Sequence, residues 1–261
     1  MLFPRPIALI SLLLLAACHS PAPVAQERWV PLFNGRNLDG WQPKITGFEL
    51  GDNFGQTFRV EDGLLKVRYD AYDQFDGHYG HLFFDAPFSN YDLLVEYRFV
   101  GEACPGGAGW AWRNSGVMIH SQAPQTMRVD QDFPVSIEVQ TLGSTQDDQR
   151  PTANLCTPGT NVHMNGALHT QHCTNSTSPP QFDDQWVRMR VEVRGGEVIR
   201  HFVDDALVLE YTQPTLDTRD ADAAQLLAGG QPELLTSGYL CLQSESFPVD
   251  FRRVEILVHE R

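Results

Sequence analysis

Two segments of the chain, residues 112–120 and residues 134–140, decide the predicted fold. They read WRNSGVMIH and PVSIEVQ. Both alternate apolar and polar residues, which is the pattern of a half-buried β-strand. If the apolar side chains of both strands enter one core, an imidazole, a carboxylate and two amides gather on the opposite surface: His120, Glu138, Asn114 and Gln140. Such a set on a rigid sheet is suited to binding a sugar, although two solvated strand faces would show the same pattern.

The rest of the chain repeats this kind of pattern. Alternating segments cover residues 57–67, 91–100, 186–211, 239–243 and 250–259, and Gly, Asn or Asp turns separate many of them. Many short strands of this type predict an all-β chain in which two antiparallel sheets pack as a sandwich. Helix is scarce, and the best candidate for a short one is the segment 220–227.

The N-terminal segment is typical of an export signal. Arg5 supplies a positive charge, and residues 7–17 form an apolar run that is too short to span a bilayer as a mature helix. Small residues followed by Cys18 resemble a bacterial lipobox, in which Cys18 is lipidated and becomes the first residue. An ordinary secretory signal is the alternative. His19 follows the cysteine, and the absence of Asp at that position favours the outer membrane as the predicted location.

We therefore divide the chain into three parts. These are a signal peptide over residues 1–17, a lipidated cysteine with its tether over residues 18–28, and a single β domain over residues 29–261. The chain has 33 Asp and Glu against 19 Lys and Arg, and its net charge is −14. No basic stripe is present, which argues against nucleic acid and against electrostatic binding to anionic lipid. Membrane attachment is expected through the lipid anchor alone, and the sequence predicts no oligomeric state.

The remaining cysteines indicate an oxidising compartment. Four are left once Cys18 is assigned to lipid, and an even number outside the cytosol suggests disulfides. Cys156 and Cys173 flank a predicted hairpin with an Asn165–Gly166 turn, so we expect a disulfide between them at its base. Cys104 and Cys241 are then left as a pair by elimination. Zinc is the alternative use of these thiols, but no Cys-x-x-Cys pair occurs.

Six short motifs, in order along the chain, carry a resemblance to a known family. They are PLFNGRNLDGW at 31–41, FRVEDGLL at 58–65, NSG at 114–116, EVQ at 138–140, LQ at 242–243 and FR at 251–252. Each is weak alone, but the ordered set resembles the 3-keto-disaccharide hydrolase domain family over essentially all of the predicted mature chain.

The resemblance implies a jelly-roll sandwich like that of concanavalin A-like lectins and glucanases, with carbohydrate bound on one sheet. It also implies a chemistry. The ketone of a 3-keto-glycoside acidifies the C2 hydrogen, a base removes it, and the anomeric oxygen leaves by β-elimination before water adds. This requires a base, an acid and a group that stabilises the enolate, and no redox cofactor. We expect an enzyme that cleaves or hydrates 3-keto-glycosides or 3-keto-disaccharides.

The chain departs from the family near its end. Many members read Leu-Gln-Asp-His-Gly there, whereas SESF follows Leu242–Gln243 at residues 244–247. A histidine that could serve the site is therefore missing, and Glu245 could take its role. The departure adds weight to the alternative hypothesis of a non-catalytic, lectin-like carbohydrate-binding protein.

We assign Glu138 as the catalytic base, because burial on an apolar strand would raise its pKa. His120 is the second catalytic candidate, as base or acid. The predicted substrate-binding residues are Trp112, Arg113, Asn114, Gln140, Gln243, Glu245 and Arg252, with Trp110 a further stacking candidate.

Ordinary glycoside hydrolysis by two carboxylates is disfavoured, because residues 136 and 140, two positions either side of Glu138, are not acids. The histidines at 163, 169 and 172 match no specific metal motif, so we predict no metal in the site. The acidic pairs at 147–148 and 183–184 are the candidates for a structural calcium site.

Overall fold

The computed structural model describes Met1 and residues 28–260, and its regular structure is almost all β. The predicted signal peptide and Cys18 lie outside the described residues. The strands are β1 (Val30–Pro31), β2 (Trp41–Ile45), β3 (Phe58–Glu61), β4 (Leu64–Val67), β5 (Gly80–Phe84), β6 (Asn90–Phe99), β7 (Asn114–Ser121), β8 (Ile137–Leu142), β9 (Asn154–Cys156), β10 (Thr160–Met164), β11 (Ala167–His169), β12 (Cys173–Thr174), β13 (Val187–Arg194), β14 (Val198–Val203), β15 (Ala206–Leu216), β16 (Tyr239–Ser244) and β17 (Val249–Val258).

The strands form two sheets whose neighbours run antiparallel. The smaller sheet has the order β12-β9-β8-β7-β16-β5-β2, and the larger has the order β11-β10-β15-β14-β13-β6-β17-β4-β3, with β1 added beside β17. This confirms the predicted all-β sandwich of two antiparallel sheets. Some neighbours are consecutive in the chain, such as β7 and β8, but others are distant, such as β7 with β16 and β6 with β17, so each half of the chain supplies strands to both layers.

The main core fills the space between the sheets. Val117 and Ile119 of β7 and Ile137 and Val139 of β8 belong to it and have almost no exposed surface. Full burial of each such side chain contributes roughly 1.5–3 kcal/mol. Since successive side chains of a strand point to opposite sides, the residues between them lie on the other face of the seven-stranded sheet. We call this the site face.

Strand register determines which side chains are neighbours on the site face. Glu138 of β8 lies directly opposite Met118 of β7 on one side and Cys156 of β9 on the other. In the next row, Gln140 lies opposite Gly116 and Asn154. The site face is thus assembled from strands that are far apart in the chain.

A β-bulge interrupts this register at the end of β7. Cys241 pairs with Met118, but Tyr239 pairs with Ser121, so β7 holds one extra residue there. His120 lies within the bulge with a φ of +48°, in the left-handed region. A bulge breaks the alternation of side chains, so the pattern that predicted the direction of His120 does not hold at this residue.

The cysteines follow the prediction in part. Cys156 and Cys173 are bonded to each other, as predicted. The bond joins β9 to β12 in the seven-stranded sheet, whereas the predicted hairpin, β10 with β11, belongs to the larger sheet. The disulfide therefore does not close the base of that hairpin. Cys104 and Cys241 are both buried and unbonded, so the pairing by elimination was wrong.

The predicted short helix is present as α1 (Ala221–Ala228). Asp220 caps it by accepting hydrogen bonds from the backbone N–H groups of Asp222 and Ala223, which satisfies donors that a helix N-terminus otherwise leaves free. In the described part of the chain, no helix is both long and apolar enough to cross a membrane.

Candidate active site

A cavity of about 420 Å³ opens on the site face above β9, β8, β7 and the end of β16. Its wall combines carboxylates and amides with aromatic and apolar side chains: Asn114, Glu138, Gln140, Arg150, His172 and Glu245 with Trp110, Phe133, Leu142, Cys156, Pro158 and Cys173. A larger, shallower depression of about 1230 Å³ lies at the β13–β14 turn and contains none of the predicted site residues. The smaller cavity is therefore the candidate active site, because predicted site residues line it.

Two carboxyl groups face this cavity from different strands. Glu138 projects from the middle of β8 and is 6% exposed, and Glu245 follows the last residue of β16 and is 3% exposed. Burial raises the pKa of Glu138 to about 8. Burial, and then the nearby charge of Glu138, raises the pKa of Glu245 well above its ordinary range. Two neighbouring buried carboxyls cannot both ionise easily, so Glu138 loses its proton at about pH 8 while Glu245 keeps its own, and above that pH the pair holds a single proton.

Gly116 of β7 lies between the two strands that carry these groups. A Cβ at this position would lie 2.7 Å from Glu138 Oε1 and 2.9 Å from Gln243 Oε1. Any side chain there would displace the carboxylate or the amide. The glycine therefore allows both groups to lie over the same strand.

Several buried polar atoms on this face make no hydrogen bond within the protein. They are both amide atoms of Gln243, Oδ1 of Asn114 and Oε2 of Glu245. An unsatisfied buried group costs roughly 1–3 kcal/mol, so a cluster of them points to groups that hydrogen-bond a ligand or water. The Nε2 of Gln243 is a buried donor with no partner in the protein.

His81 of β5 lies directly opposite Gln243 and is completely buried. Neither ring nitrogen has a hydrogen-bond partner. Burial, assisted by the positive charge of Lys44, lowers the pKa of His81 to about 3, so the imidazole is neutral at physiological pH. The sequence analysis missed His81, although its alternation with Phe83 on an apolar strand was a signal for it.

Gln140 is held by a residue that the sequence analysis also missed. Asn154 Nδ2 donates to Gln140 Oε1 at 3.2 Å, while Asn154 Oδ1 accepts a hydrogen bond from the backbone of Ser176. Since the Gln140 oxygen is occupied in this way, its Nε2 is the atom left to donate into the cavity. Asn154 alternates with Cys156 on β9, which could have indicated that it shares the site face.

Comparison with known proteins identifies the family. A family model described as the 3-keto-alpha-glucoside-1,2-lyase-like domain matches residues 28–257. The chain belongs to the 3-keto-alpha-glucoside-1,2-lyase-like domain family. This confirms the resemblance drawn from the sequence and makes the protein a member of a carbohydrate-active family. No curated protein matched the chain.

Solved structures of low sequence identity to this protein share its fold. A Parabacteroides distasonis protein provisionally described as a glycosyl hydrolase is 17% identical, with a TM-score of 0.53 over 89% of this chain and 100% of that one. A Bacillus subtilis protein of unknown function with a galectin-like fold is 11% identical, with a TM-score of 0.51 over 89% and 96% of the two chains. At these identities the likeness establishes the jelly-roll fold.

The structure brings several of the predicted substrate-binding residues together. Asn114, Gln140 and Glu245 line the cavity with the stacking candidate Trp110, and Gln243 is buried next to Glu138 Oε1 at Gly116. Glu245, which we expected to take the role of the family's histidine, therefore belongs to the cavity wall. Trp112, Arg113 and Arg252 lie outside that wall.

His120 does not join Glu138. Its Nε2 lies 2.9 Å from the carbonyl oxygen of Gly195, in the turn between β13 and β14 of the opposite sheet. It lines a separate cavity of about 190 Å³. Burial lowers the pKa of His120 to about 4. The predicted acid–base pairing with Glu138 was wrong, because the bulge turns this side chain away from the site face.

Arg252 is also remote from the cavity. It lies on β17 of the larger sheet, where its Nε is 2.5 Å from Glu96 Oε2 and its guanidinium stacks over Trp186 at 4.5 Å. The prediction that it holds substrate was wrong, because β17 and Glu138 belong to different sheets. It forms an ion pair with Glu96 on the face of the larger sheet.

Trp112 and Arg113 contact other parts of the protein and not the cavity. Trp112 packs edge-on against Phe247, with ring centroids 5.8 Å apart, and it is partly buried against the core. Arg113 donates to the backbone oxygen of Asp183 at 2.6 Å and to the Asp184 carboxylate at 3.2 Å. Neither residue is part of the cavity wall, which corrects their predicted contact with substrate.

Arg150 is the cationic wall residue that the sequence analysis missed. Its guanidinium donates to the carbonyl oxygen of Trp112 at 2.9 Å and to that of Gly143 at 3.1 Å. It also lies 5.4 Å from the Trp112 ring. Its hydrogen bonds to carbonyls fix the loop beneath the cavity. In the part of the chain that the structure describes, no group of three or more His, Cys, Asp or Glu side chains is arranged to hold a metal ion.

Proposed function

We propose that the protein is an enzyme that cleaves 3-keto-glycosides by removing the C2 proton and eliminating the anomeric substituent. The observation that carries the proposal is the buried pair Glu138 and Glu245 in one cavity, each with a raised pKa. Once Glu138 has lost its proton, at about pH 8, it is a base beside a still protonated Glu245, so the pair supplies the base and the acid that this elimination requires.

In the proposed reaction, Glu138 takes the C2 proton as the C2–H bond breaks, and its electron pair forms the enolate with the C3 ketone. The C3 carbonyl then re-forms and the enolate electron pair makes the C1–C2 double bond, while the C1–O bond breaks. The leaving oxygen keeps the C1–O electron pair and takes a proton from Glu245. The number of protons on the carboxyl pair is the same before and after. Gln243 Nε2, which has no protein partner, is placed to donate to the enolate oxygen.

Hydration of the unsaturated product would complete a hydrolysis. Water adds its oxygen to C1 and a proton returns to C2, which gives the free 3-keto sugar. The same two carboxyls can serve this step in reverse roles, because Glu138 holds a proton after the elimination and Glu245 is then a base.

One observation favours a second function. The sequence analysis disfavoured direct hydrolysis because no acid lies two residues from Glu138, yet Glu245 supplies the second carboxyl from another strand. Ordinary glycosidases also use two carboxyl groups. Direct hydrolysis of unoxidised glycosides is therefore the competing enzymatic proposal.

A matched substrate panel separates these functions. Purified protein lacking residues 1–19 is incubated with glycosides and with the same glycosides oxidised at C3. Release of the leaving group from the oxidised set alone is the expected result, and solvent deuterium should enter C2 of the product. Cleavage of the unoxidised parents would favour direct hydrolysis. No turnover of either set, with saturable binding of a glycan, would leave a lectin-like protein.

We also propose that the protein works outside the cytosol, attached to the outer membrane through lipid on Cys18. The Cys156–Cys173 disulfide supports an oxidising location. Metabolic labelling with a fatty-acid alkyne tests the anchor. Labelled wild-type protein in the outer-membrane fraction and unlabelled Cys18→Ser protein are expected, whereas equal labelling of both would contradict it.

A further inference from the structure

The site face is sealed on one side of the cavity. The loop 122–136 folds back over β5, and Phe133 lies against His81 with ring centroids 5.9 Å apart. The loop is tied to the turn that follows β2, the strand next to β5, by the hydrogen bond from Gly47 N to Val129 O, at 2.8 Å. His81 consequently has no exposed surface. A ligand cannot extend across β5 and β2.

The opposite side is closed by the disulfide segment. Cys156 and Cys173 both line the cavity, and Thr157 N donates to the carbonyl of His172 at 2.9 Å. Pro158 belongs to the same wall. The cavity is therefore a pocket with walls on two sides. A volume of about 420 Å³ is suited to one glycosyl unit and a compact leaving group.

A rigid aromatic surface stands at the rim of this pocket. Trp110 is 54% exposed, which is high for the largest apolar side chain. Its ring stacks on Tyr79 with centroids 6.0 Å apart and planes at 13°. Tyr79 in turn packs on Phe133 at 4.9 Å. The stack fixes the orientation of Trp110, so its exposed surface is available to a flat group without loss of side-chain entropy.

The pocket wall combines two acids with one cation. Glu138 and Glu245 lie at its buried end, and Glu138 becomes negatively charged above about pH 8. Among the described wall residues, Arg150 carries the fixed positive charge, and it donates to the carbonyls of Gly143 and Trp112. Above that pH an anionic leaving group would thus meet the negative charge of Glu138, while Arg150 is directed to the protein backbone.

The geometry points to a specific substrate class: glycosides whose leaving group is uncharged, planar and apolar, such as an aryl or benzyl alcohol, seated on Trp110. The inference rests on the proposed function, since it names the leaving group of that reaction. The sugar occupies the carboxylate end, and the flat group lies between Trp110 and the apolar residues Pro158 and Leu142.

The test compares benzyl and ethyl 3-keto-glucosides, whose leaving alcohols are similar in acidity, so a difference in kcat/KM reports contact with the flat group. We expect the wild type to prefer the benzyl compound roughly tenfold. Trp110→Ala should bring the ratio close to one, and Trp110→Phe should retain most of it. 4-Carboxybenzyl 3-keto-glucoside should be a poorer substrate than the benzyl compound by a similar factor.

Binding measurements separate this inference from the proposed function. Calorimetry with the Glu138→Gln variant gives Kd for both compounds without turnover, and the same preference is expected there. Equal kcat/KM and equal Kd for the two compounds would overturn the inference while the proposed elimination stands. A preference in Kd without any turnover by the wild type would keep the planar-ligand site and reject the elimination. Trp110 is exposed, and circular dichroism verifies that its variants fold.

Discussion

Glu138 lies on β8 and Glu245 directly follows the end of β16, with β7 between the two strands, yet both carboxyl groups are buried in the same cavity. Burial raises the pKa of each, and the charge of Glu138 raises that of Glu245 further. A protein that only bound sugar would gain little from two buried acids, because their burial costs stability. The proposed elimination gives the pair a function, because one acid can accept a proton while the other donates one.

Replacing either acid with its amide should abolish turnover. Glu138→Gln removes the base and Glu245→Gln removes the acid, so each is expected to lower kcat roughly 10³-fold while sugar binding persists. Initial rates with a 3-keto-glycoside check this. Glu210→Gln is the matched control, since it removes a carboxylate from an exposed position on β15. Full activity in Glu138→Gln would show that the base lies elsewhere.

Stability should fall as pH rises from about 4.5 to 8. In that range the unfolded chain releases the Glu138 proton, whose ordinary pKa is 4.5, while the native protein retains it because its folded pKa is about 8. The native state therefore binds more protons than the unfolded state. The resulting loss in the free energy of unfolding grows to on the order of 4 kcal/mol above pH 8. Below pH 4.5 Glu138 is protonated in both states, and this loss disappears.

Glu138→Gln removes this titration, so the variant should be more stable than the wild type at pH 8 and similar to it at pH 4.5. Urea unfolding at both pH values measures the difference. If the variant and the wild type lose the same free energy of unfolding between these pH values, the raised pKa of Glu138 is incorrect.

Gly116→Ala should inactivate the protein. The added methyl group would lie within 3 Å of Glu138 and Gln243, so one of them must move, at a cost of roughly 1–3 kcal/mol. Gly109→Ala is the control, because a Cβ there meets no atom within 4 Å. Thermal unfolding and initial rates are measured for both. Wild-type activity in Gly116→Ala would mean that the arrangement of the two side chains is not needed.

The Cys156–Cys173 disulfide should stabilise both the fold and the pocket. Removing a link between residues separated by 17 positions is expected to cost about 3 kcal/mol. The double variant Cys156→Ser/Cys173→Ser should melt at a lower temperature, and its KM should rise because β12 forms one wall. A reductant should lower the melting temperature of the wild type and leave that of the double variant unchanged. Cys104→Ser should respond to the reductant as the wild type does.

His120→Asn should retain turnover. Asparagine tolerates the positive φ of this residue, so the bulge can persist, but the hydrogen bond to Gly195 is lost or altered. We expect a loss of about 1 kcal/mol of stability and an unchanged pH–rate profile. A shifted profile would return His120 to the list of catalytic residues.

The alternation of residues 112–120 and 134–140 was enough to predict that Glu138, Gln140 and Asn114 share a face, because the side chains of a regular strand follow a period of two. The same rule failed for His120, because one extra residue in β7 changes the direction of the side chain. Bulges depend on how two strands pair, and the pairing of β7 with β16 is not visible in either strand alone.

The sequence by itself determined the sandwich, the family, the Cys156–Cys173 bond and Glu138 as a buried acid. These follow from local periodicity, from ordered motifs and from the count of cysteines. Only the tertiary structure decided that the predicted Glu245 shares one cavity with Glu138 and that His81 lies opposite Gln243. It also decided that Arg252 and His120 lie outside that cavity. Their positions depend on strand order and register between segments distant in the chain, and the raised pKa values depend on the burial that this packing creates.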